Sequence, residues 1–163
     1  MDFTIEVPLA HPPASVQDAL LDPDFIHSTA DLPKLGGAEV LECTRNDQTA
    51  RVRVRYKFTA PLSRVVTSVI DPGNLTWVDD ATFDLASCTS EHMLLADHYA
   101  DRLDAHYTSA LVPDGSGARW TLRGSLDVHA PLVGGKMAHV IVDGLREAAT
   151  AEGVLLDEWL ATP

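Results

Sequence analysis

Three side chains of this sequence have the chemistry to exchange protons with a bound molecule: Asp79, Tyr107 and Glu152. Glu152 falls among apolar residues of a helical pattern, where a carboxylate is rarely buried unless it is paired or bound to something. Asp79 and Tyr107 lie in predicted strands, in phase with apolar neighbours. Two of the three could act as acid and base if they converge on one buried point, or each could orient a ligand. For Glu152, a partly exposed or Arg-paired position near the helix end is the structural alternative.

Other catalytic and metal-binding patterns are absent from the sequence. There is no Gly-rich phosphate loop and no nucleophile elbow, and Cys43 and Cys88 have no recognisable histidine partner. His92 and His98 share a strand face but would lie about 20 Å apart, which is too far to bind one ion. We therefore expect no metal site and no cofactor, and we assign no catalytic residue.

The element that must position these groups is a long amphipathic helix within Pro131–Leu160. At about 1.5 Å per residue it would extend for roughly 40 Å. The middle of the helix carries small side chains. An interior helical glycine costs about 1 kcal/mol relative to alanine, so Gly144 requires a structural or functional explanation. Either another backbone packs closely there or space is kept for a ligand. The predicted apolar stripe comprises Met137, Ile141, Gly144, Leu145, Ala148, Leu155 and Trp159.

The segments before this helix alternate mostly with the period of strands. A first strand holding Phe3, Ile5 and Val7 precedes two short helices and six further strands. In the third strand, residues 51–58, apolar residues alternate with four cations, which we interpret as a solvated outer face balanced by acidic neighbours. In the fourth, Asp79 shares a phase with Trp77, whereas its neighbour points to the opposite face.

Two further segments carry specific predictions. The turn at residues 114–117 predicts a hairpin in which Leu111 lies opposite Trp120 and Tyr107 lies opposite Gly124. The segment Pro61–Ile70 interrupts the strand pattern and predicts a short amphipathic helix or an irregular flap. It would serve either as a lid over a cavity or as packing.

Composition narrows the class of protein. The chain has 163 residues, a formal charge of −12 and 45% hydrophobic residues, which predicts one globular domain over residues 1–163. A strongly acidic chain lacks the basic footprint that nucleic acids require. No signal peptide and no apolar run long enough to enter a membrane is present, so we expect a cytoplasmic protein without membrane insertion.

These elements predict an α+β fold, in which a curved seven-stranded antiparallel sheet wraps the long C-terminal helix. This order resembles the helix-grip fold of the START, polyketide-cyclase and pollen-allergen-like (SRPBCC) superfamily over nearly the whole chain. The run Pro131–Lys136, with Leu35–Gly37 and Leu75–Trp77, is similar to an uncharacterised bacterial branch of it. The resemblance implies a hydrophobic small molecule, such as a lipid, sterol, polyketide or quinone, held between sheet and helix.

Three functions remain open at this point. The first is non-catalytic binding or carriage of a hydrophobic small molecule. The second is an interaction or assembly module with a collapsed cavity, acting through its outer sheet face or a homodimer contact. The third is a cyclase- or lyase-type enzyme that uses Tyr107 with Asp79 or Glu152. The expected ligand-binding residues are Val54, Tyr56, Phe58, Trp77, Asp79, Phe83, Tyr107, Trp120, Leu122, Met137, Ile141, Gly144, Ala148 and Glu152.

Overall fold

A computed structural model describes all residues, 1–163. The strands are β1 (Asp2–Leu9), β2 (Leu35–Arg45), β3 (Thr49–Phe58), β4 (Thr76–Asp84), β5 (Thr89–Ala96), β6 (Leu103–Asp114) and β7 (Gly117–Val128). The helices are α1 (Pro13–Leu20), α2 (Pro23–Ser28), α3 (Arg64–Thr67) and α4 (Gly134–Ala161). Single turns of 3-10 helix cover Thr29–Asp31 and Pro72–Asn74. This order confirms the predicted succession of strand, two short helices, six strands and a long helix.

The seven strands form one antiparallel sheet in the order β1-β7-β6-β5-β4-β3-β2. Because β1 and β2 lie at opposite edges, α1 and α2 connect one edge of the sheet to the other. Proline at the first turn of each helix suits this role, since its missing N–H would be unpaired there in any case. The α+β helix-grip fold class is therefore confirmed.

The hairpin between β6 and β7 has the predicted register. Leu111 lies opposite Trp120, and Tyr107 lies opposite Gly124. A Cβ atom at position 124 would overlap the Tyr107 side chain and the carbonyl oxygen of His106. Glycine at this position therefore lets Tyr107 lie close against the neighbouring strand.

The cationic face of β3 is an outer face of the sheet with acidic neighbours. Arg51 donates two hydrogen bonds to Asp80, at 3.0 and 2.8 Å, and Arg55 donates two to Asp97, at 3.0 and 3.2 Å. The Arg51 hydrogen bond holds the pKa of the Asp80 carboxyl below its usual value. Most of the charge on this face is thus paired within the protein, as the alternation predicted.

Helix α4 spans 28 residues and packs its thin side against the sheet. Its buried stripe is rotated relative to the prediction: Ala138, Val142 and Leu156 are buried, whereas the predicted Ile141, Leu145, Leu155 and Trp159 are only partly buried. The rotation follows from a close approach to β1, because a Cβ at Gly153 would overlap the Val7 side chain. None of the helices combines the length and apolar character that crossing a membrane requires.

The segment Pro61–Ile70 contains the four-residue helix α3. Its apolar residues divide between two environments: Val66 and Ile70 are buried against Val133 and Met137, whereas Val65 and Val69 are exposed. The backbone N–H of Asp71 donates to the Tyr99 hydroxyl at 3.1 Å, which anchors the turn that follows. The predicted short amphipathic helix is therefore present, and it covers the N-terminal half of α4.

Candidate functional site

A cavity of about 110 Å³ lies between the inner face of the sheet and the middle of α4. Its wall is mostly apolar, with contributions from all seven strands, the two early helices and one side of α4. Leu145, Ala148, Ala149 and Glu152 of α4 form its helical wall. Space remains between the sheet and the helix because two of these four side chains are alanines, which do not fill it.

Ten of the fourteen residues predicted to bind a ligand surround this main cavity. Eight of them lie on strands, where alternation turns their side chains toward the inner face of the sheet. The other two lie on α4, where helical periodicity places them on the side that faces the sheet. They are Val54, Tyr56, Trp77, Asp79, Phe83, Tyr107, Trp120, Leu122, Ala148 and Glu152.

Three other predicted residues line a second cavity of about 70 Å³ between the sheet, the segment that leads into β4 and the N-terminal half of α4. These are Phe58, Met137 and Ile141. Trp77 and Leu94 contribute to both cavities and so lie between them. The predicted single binding space is therefore divided by two side chains.

Gly144 lines neither cavity, which corrects its assignment as a ligand-binding residue. A Cβ atom at this position would lie 2.9 Å from the ring of Phe58, at Cε2. The neighbour at Gly144 is thus an aromatic side chain, and neither a second backbone nor open space. Glycine is needed because the Phe58 ring packs directly on the helix backbone.

One wall of the main cavity carries a continuous chain of hydrogen bonds across β4, β5 and β6. The Tyr107 hydroxyl donates to Asp79 Oδ2 at 2.8 Å, and His92 Nδ1 lies 2.9 Å from Asp79 Oδ1. His92 Nε2 lies 2.8 Å from the Ser90 hydroxyl. With Asp79 ionised, Nδ1 carries the proton and donates it, so Nε2 accepts from Ser90.

Strand register explains why these four groups meet. His92 lies opposite Tyr107 in the β5–β6 pair, and their rings stack with centroids 4.1 Å apart. Asp79 lies two residues before Ala81, the partner of His92 in the β4–β5 pair. Because alternate residues share a face, all four side chains point inward. Both oxygens of Asp79 are therefore satisfied by the protein.

The two tyrosines of the cavity remain protonated. Burial raises the pKa of Tyr107 well above its usual value, and the nearby Asp79 charge raises it further. Burial likewise raises the pKa of Tyr56, with the charges of Glu152 and Asp79 acting in the same direction. Both hydroxyls are consequently hydrogen-bond donors at neutral pH and poor proton acids.

Glu152 lines the main cavity and is partly exposed, and no arginine lies within ion-pair distance of its carboxyl group. Its side chain has no hydrogen-bond or ion-pair partner within the protein. Burial raises the pKa of Glu152 to about 7, with a further contribution from Asp79. An unpaired carboxyl in a mostly apolar cavity wall is a group available to a bound molecule.

Neither lysine nor arginine lines the main cavity. Its ionisable groups are Asp79, Glu152, His92 and the two tyrosines. No three His, Cys, Asp or Glu side chains are grouped so that they could hold a metal ion. The arrangement can accept hydrogen bonds or a positive charge from a guest, and it can transfer protons through Glu152.

Sequence reasoning missed several residues of the site. His92 entered only as a metal candidate, because the apolar run that follows it made the faces of β5 ambiguous. Ser90 shares its face and could have been found by the same phase. Phe3 and Ile5 of β1 line the cavity, and their alternation was a usable signal. Phe25 of α2 gave no such signal, since its position depends on how the early helices pack.

Comparison of the fold with solved structures identifies close architectural matches. The TTHA0849 protein from Thermus thermophilus aligns with a TM-score of 0.68 and 17% identity, over 98% of this chain and 97% of that one. The ZhuI aromatase/cyclase from Streptomyces sp. R1128 aligns with a TM-score of 0.66 and 12% identity, over 98% and 93%. Norcoclaurine synthase from Thalictrum flavum aligns with a TM-score of 0.66 and 10% identity, over 100% and 87%.

At these identities the matches show a shared fold, so the chain has the START-like (SRPBCC) helix-grip fold that the sequence resembled. No curated protein sequence matches the chain. The sequence model of the family described as "Protein of unknown function (DUF2505)" matches residues 4–160. The chain therefore belongs to that family.

Proposed function

We propose that this member of the DUF2505 family binds a small hydrophobic molecule in the main cavity and carries or senses it without altering it. The observation that supports this most directly is the cavity of about 110 Å³, with its mostly apolar wall and its polar groups gathered on a few side chains. Ligand sites in proteins have this composition: apolar surface supplies affinity and a few polar groups fix orientation. A bacterial aromatase/cyclase and a plant synthase with the same fold are consistent with a small-molecule site.

The size of the cavity limits its guest. An engineered apolar cavity of about 150 Å³ accepts benzene, and drug-sized ligands occupy about 300–1,000 Å³. A space of about 110 Å³ is smaller than the benzene-binding cavity, so a single ring is the upper limit for a guest in the main cavity alone. A lipid, polyketide or quinone-like guest would need the main and second cavities to join. The unfilled space argues against a module with a collapsed interior.

The first test is to identify a guest that co-purifies with the protein. Native mass spectrometry of freshly purified protein should show an added small mass that is lost on solvent extraction. Ala148→Leu places a larger side chain in the helical wall of the cavity and should abolish the added mass, because the space would be filled.

Thr150→Leu is the matched control, since residue 150 is exposed on the same helix and its substitution should leave the added mass unchanged. Retention of the small molecule by both variants would place it outside the main cavity and contradict the proposal. Circular dichroism of both variants would establish that the fold is intact.

A second candidate function is proton-transfer catalysis of the cyclase or lyase type. It is favoured by the contact of Tyr107 with Asp79 and by the free Glu152 carboxyl beside them. Because Tyr107 keeps its proton, Glu152 is the group that would exchange protons, and Tyr107 would orient the substrate. Incubation of the identified guest with protein should then yield a product. Glu152→Gln should preserve binding and abolish turnover under this alternative.

A further inference from the structure

We infer that the guest carries a basic nitrogen on a compact apolar body, and that its ammonium group pairs with the carboxylate of Glu152. This inference rests on the proposed binding function and names the class of ligand. The expected guest is an amine, in preference to a fatty acid, a phosphate ester or a plain hydrocarbon.

The first argument is the lack of any protein partner for Glu152. The other carboxylate of the cavity, Asp79, accepts from Tyr107 and lies in contact with His92, so both its oxygens are used. Glu152 has no equivalent donor, although a buried carboxylate is normally paired. A guest that donates from a charged nitrogen would complete the pairing, because charge-assisted hydrogen bonds are the strong ones.

The second argument is the sign of the charge in the cavity. Neither lysine nor arginine lines it, and it holds two carboxyl groups. A carboxylate or phosphate guest would add a further negative charge beside two carboxyl groups in a mostly apolar cavity, where like charges repel more strongly than in water. A cation is the charged guest that this wall can stabilise.

The third argument is the aromatic character of the wall. The rings of Phe25, Tyr56, Trp77 and Trp120 all line the main cavity. Aromatic faces attract ammonium groups as well as apolar surface, with tryptophan the best of them. The aromatic wall can therefore contact both the apolar body and the ammonium group of the guest.

The ionisable groups that face Glu152 across the cavity are Tyr56 on β3, Asp79 on β4, His92 on β5 and Tyr107 on β6. The side chains contributed by β1, β2, β7, α1 and α2 carry no ionisable group. Burial and the Asp79 charge raise the pKa of Glu152 to about 7, so about half of the molecules carry its proton at neutral pH. An ammonium guest would displace that proton.

The test compares four probes of nearly equal size by isothermal titration calorimetry at pH 8: benzylamine, benzyl alcohol, toluene and benzoate. We expect benzylamine to bind at least tenfold more tightly than the two neutral probes, and benzoate not to bind. Between pH 8 and pH 5.5 the affinity for benzylamine should fall about thirtyfold, since protons compete for a carboxyl with a pKa of about 7. At pH 7, titration in buffers of different ionisation enthalpy should show about half a proton released per amine bound.

Glu152→Gln keeps the shape of the side chain and removes its charge, so it should lose the preference for benzylamine while still binding toluene. Glu158→Gln, at an exposed position of the same helix, should keep the preference. Equal affinity for benzylamine and the neutral probes, or a preference that survives in Glu152→Gln, would overturn the amine assignment and leave the binding function standing. If none of the four probes binds, the proposed function itself fails for compact guests.

Discussion

Among single residues, Glu152 is a carboxyl group that the fold holds in an unfavourable place. It faces a mostly apolar cavity with no partner within the protein, and burial raises its pKa from 4.5 to about 7. A raised carboxyl pKa means that the folded protein binds the proton more tightly than the unfolded chain does. Stability is therefore lost as the pH rises from about 4.5 through 7. Groups whose pKa values are strongly shifted in this way cluster at functional sites.

Glu152→Gln should accordingly stabilise the protein, and more so at higher pH. A shift from 4.5 to about 7 corresponds to a gain of up to about 3 kcal/mol at pH 8, falling below about 1 kcal/mol at pH 5. Urea denaturation at the two pH values measures the gain. Glu158→Gln should change stability little at either pH, because its side chain is exposed. A loss of stability in Glu152→Gln would show that the carboxylate has a partner in the folded protein.

Residue types and strand phase predicted much of this site. Asp79, Tyr107 and Glu152 were identified as inward-facing polar groups because each shared a phase with apolar neighbours. Their contacts were not predictable: the stacking of His92 on Tyr107 depends on the register between β5 and β6, which a local pattern does not specify. Gly144 was misassigned because a helical glycine has the same pattern whether a ring or a ligand lies against it.

At the scale of elements, the pairing of α4 with the sheet determines where space remains. Close contact at Gly153 with Val7 and at Gly144 with Phe58 fixes the helix at two points, and the main cavity lies beside Ala148 between them. Helical periodicity predicted the helix but placed its buried stripe on a neighbouring face. The pattern of apolar residues does not reveal close contacts made at glycines, which have no side chain. The division of the space by Trp77 and Leu94 was likewise invisible to local patterns.

Leu94→Ala should join the two cavities. The substitution removes a buried side chain from the partition and should cost about 2–5 kcal/mol of stability, as for other large-to-small core changes. The variant should bind a two-ring probe such as naphthalene more tightly than the original protein does, which a fluorescence titration measures. Leu95→Ala, at an exposed position of the same strand, is the control and should not change naphthalene binding. No gain in Leu94→Ala would show that the cavities stay separate.

In the whole molecule, a seven-stranded antiparallel sheet packed on one long helix accounts for both the fold and the cavity between them. Alternation along the strands, two proline-initiated helices and one long amphipathic pattern were sufficient to predict this architecture, since each local preference agrees with the final fold. The same information could not give the cavity volume, which depends on how side chains from seven strands and the early helices interlock.

The proposed function requires that the space beside Ala148 binds a small, mostly apolar molecule. The most direct measurement is a crystal structure of the protein equilibrated with benzene vapour. We expect one benzene ring in the main cavity, between Ala148 and Trp120, with the backbone of α4 and of the sheet unmoved. A structure in which that cavity is closed by repacked side chains, or in which benzene binds only elsewhere, would contradict it.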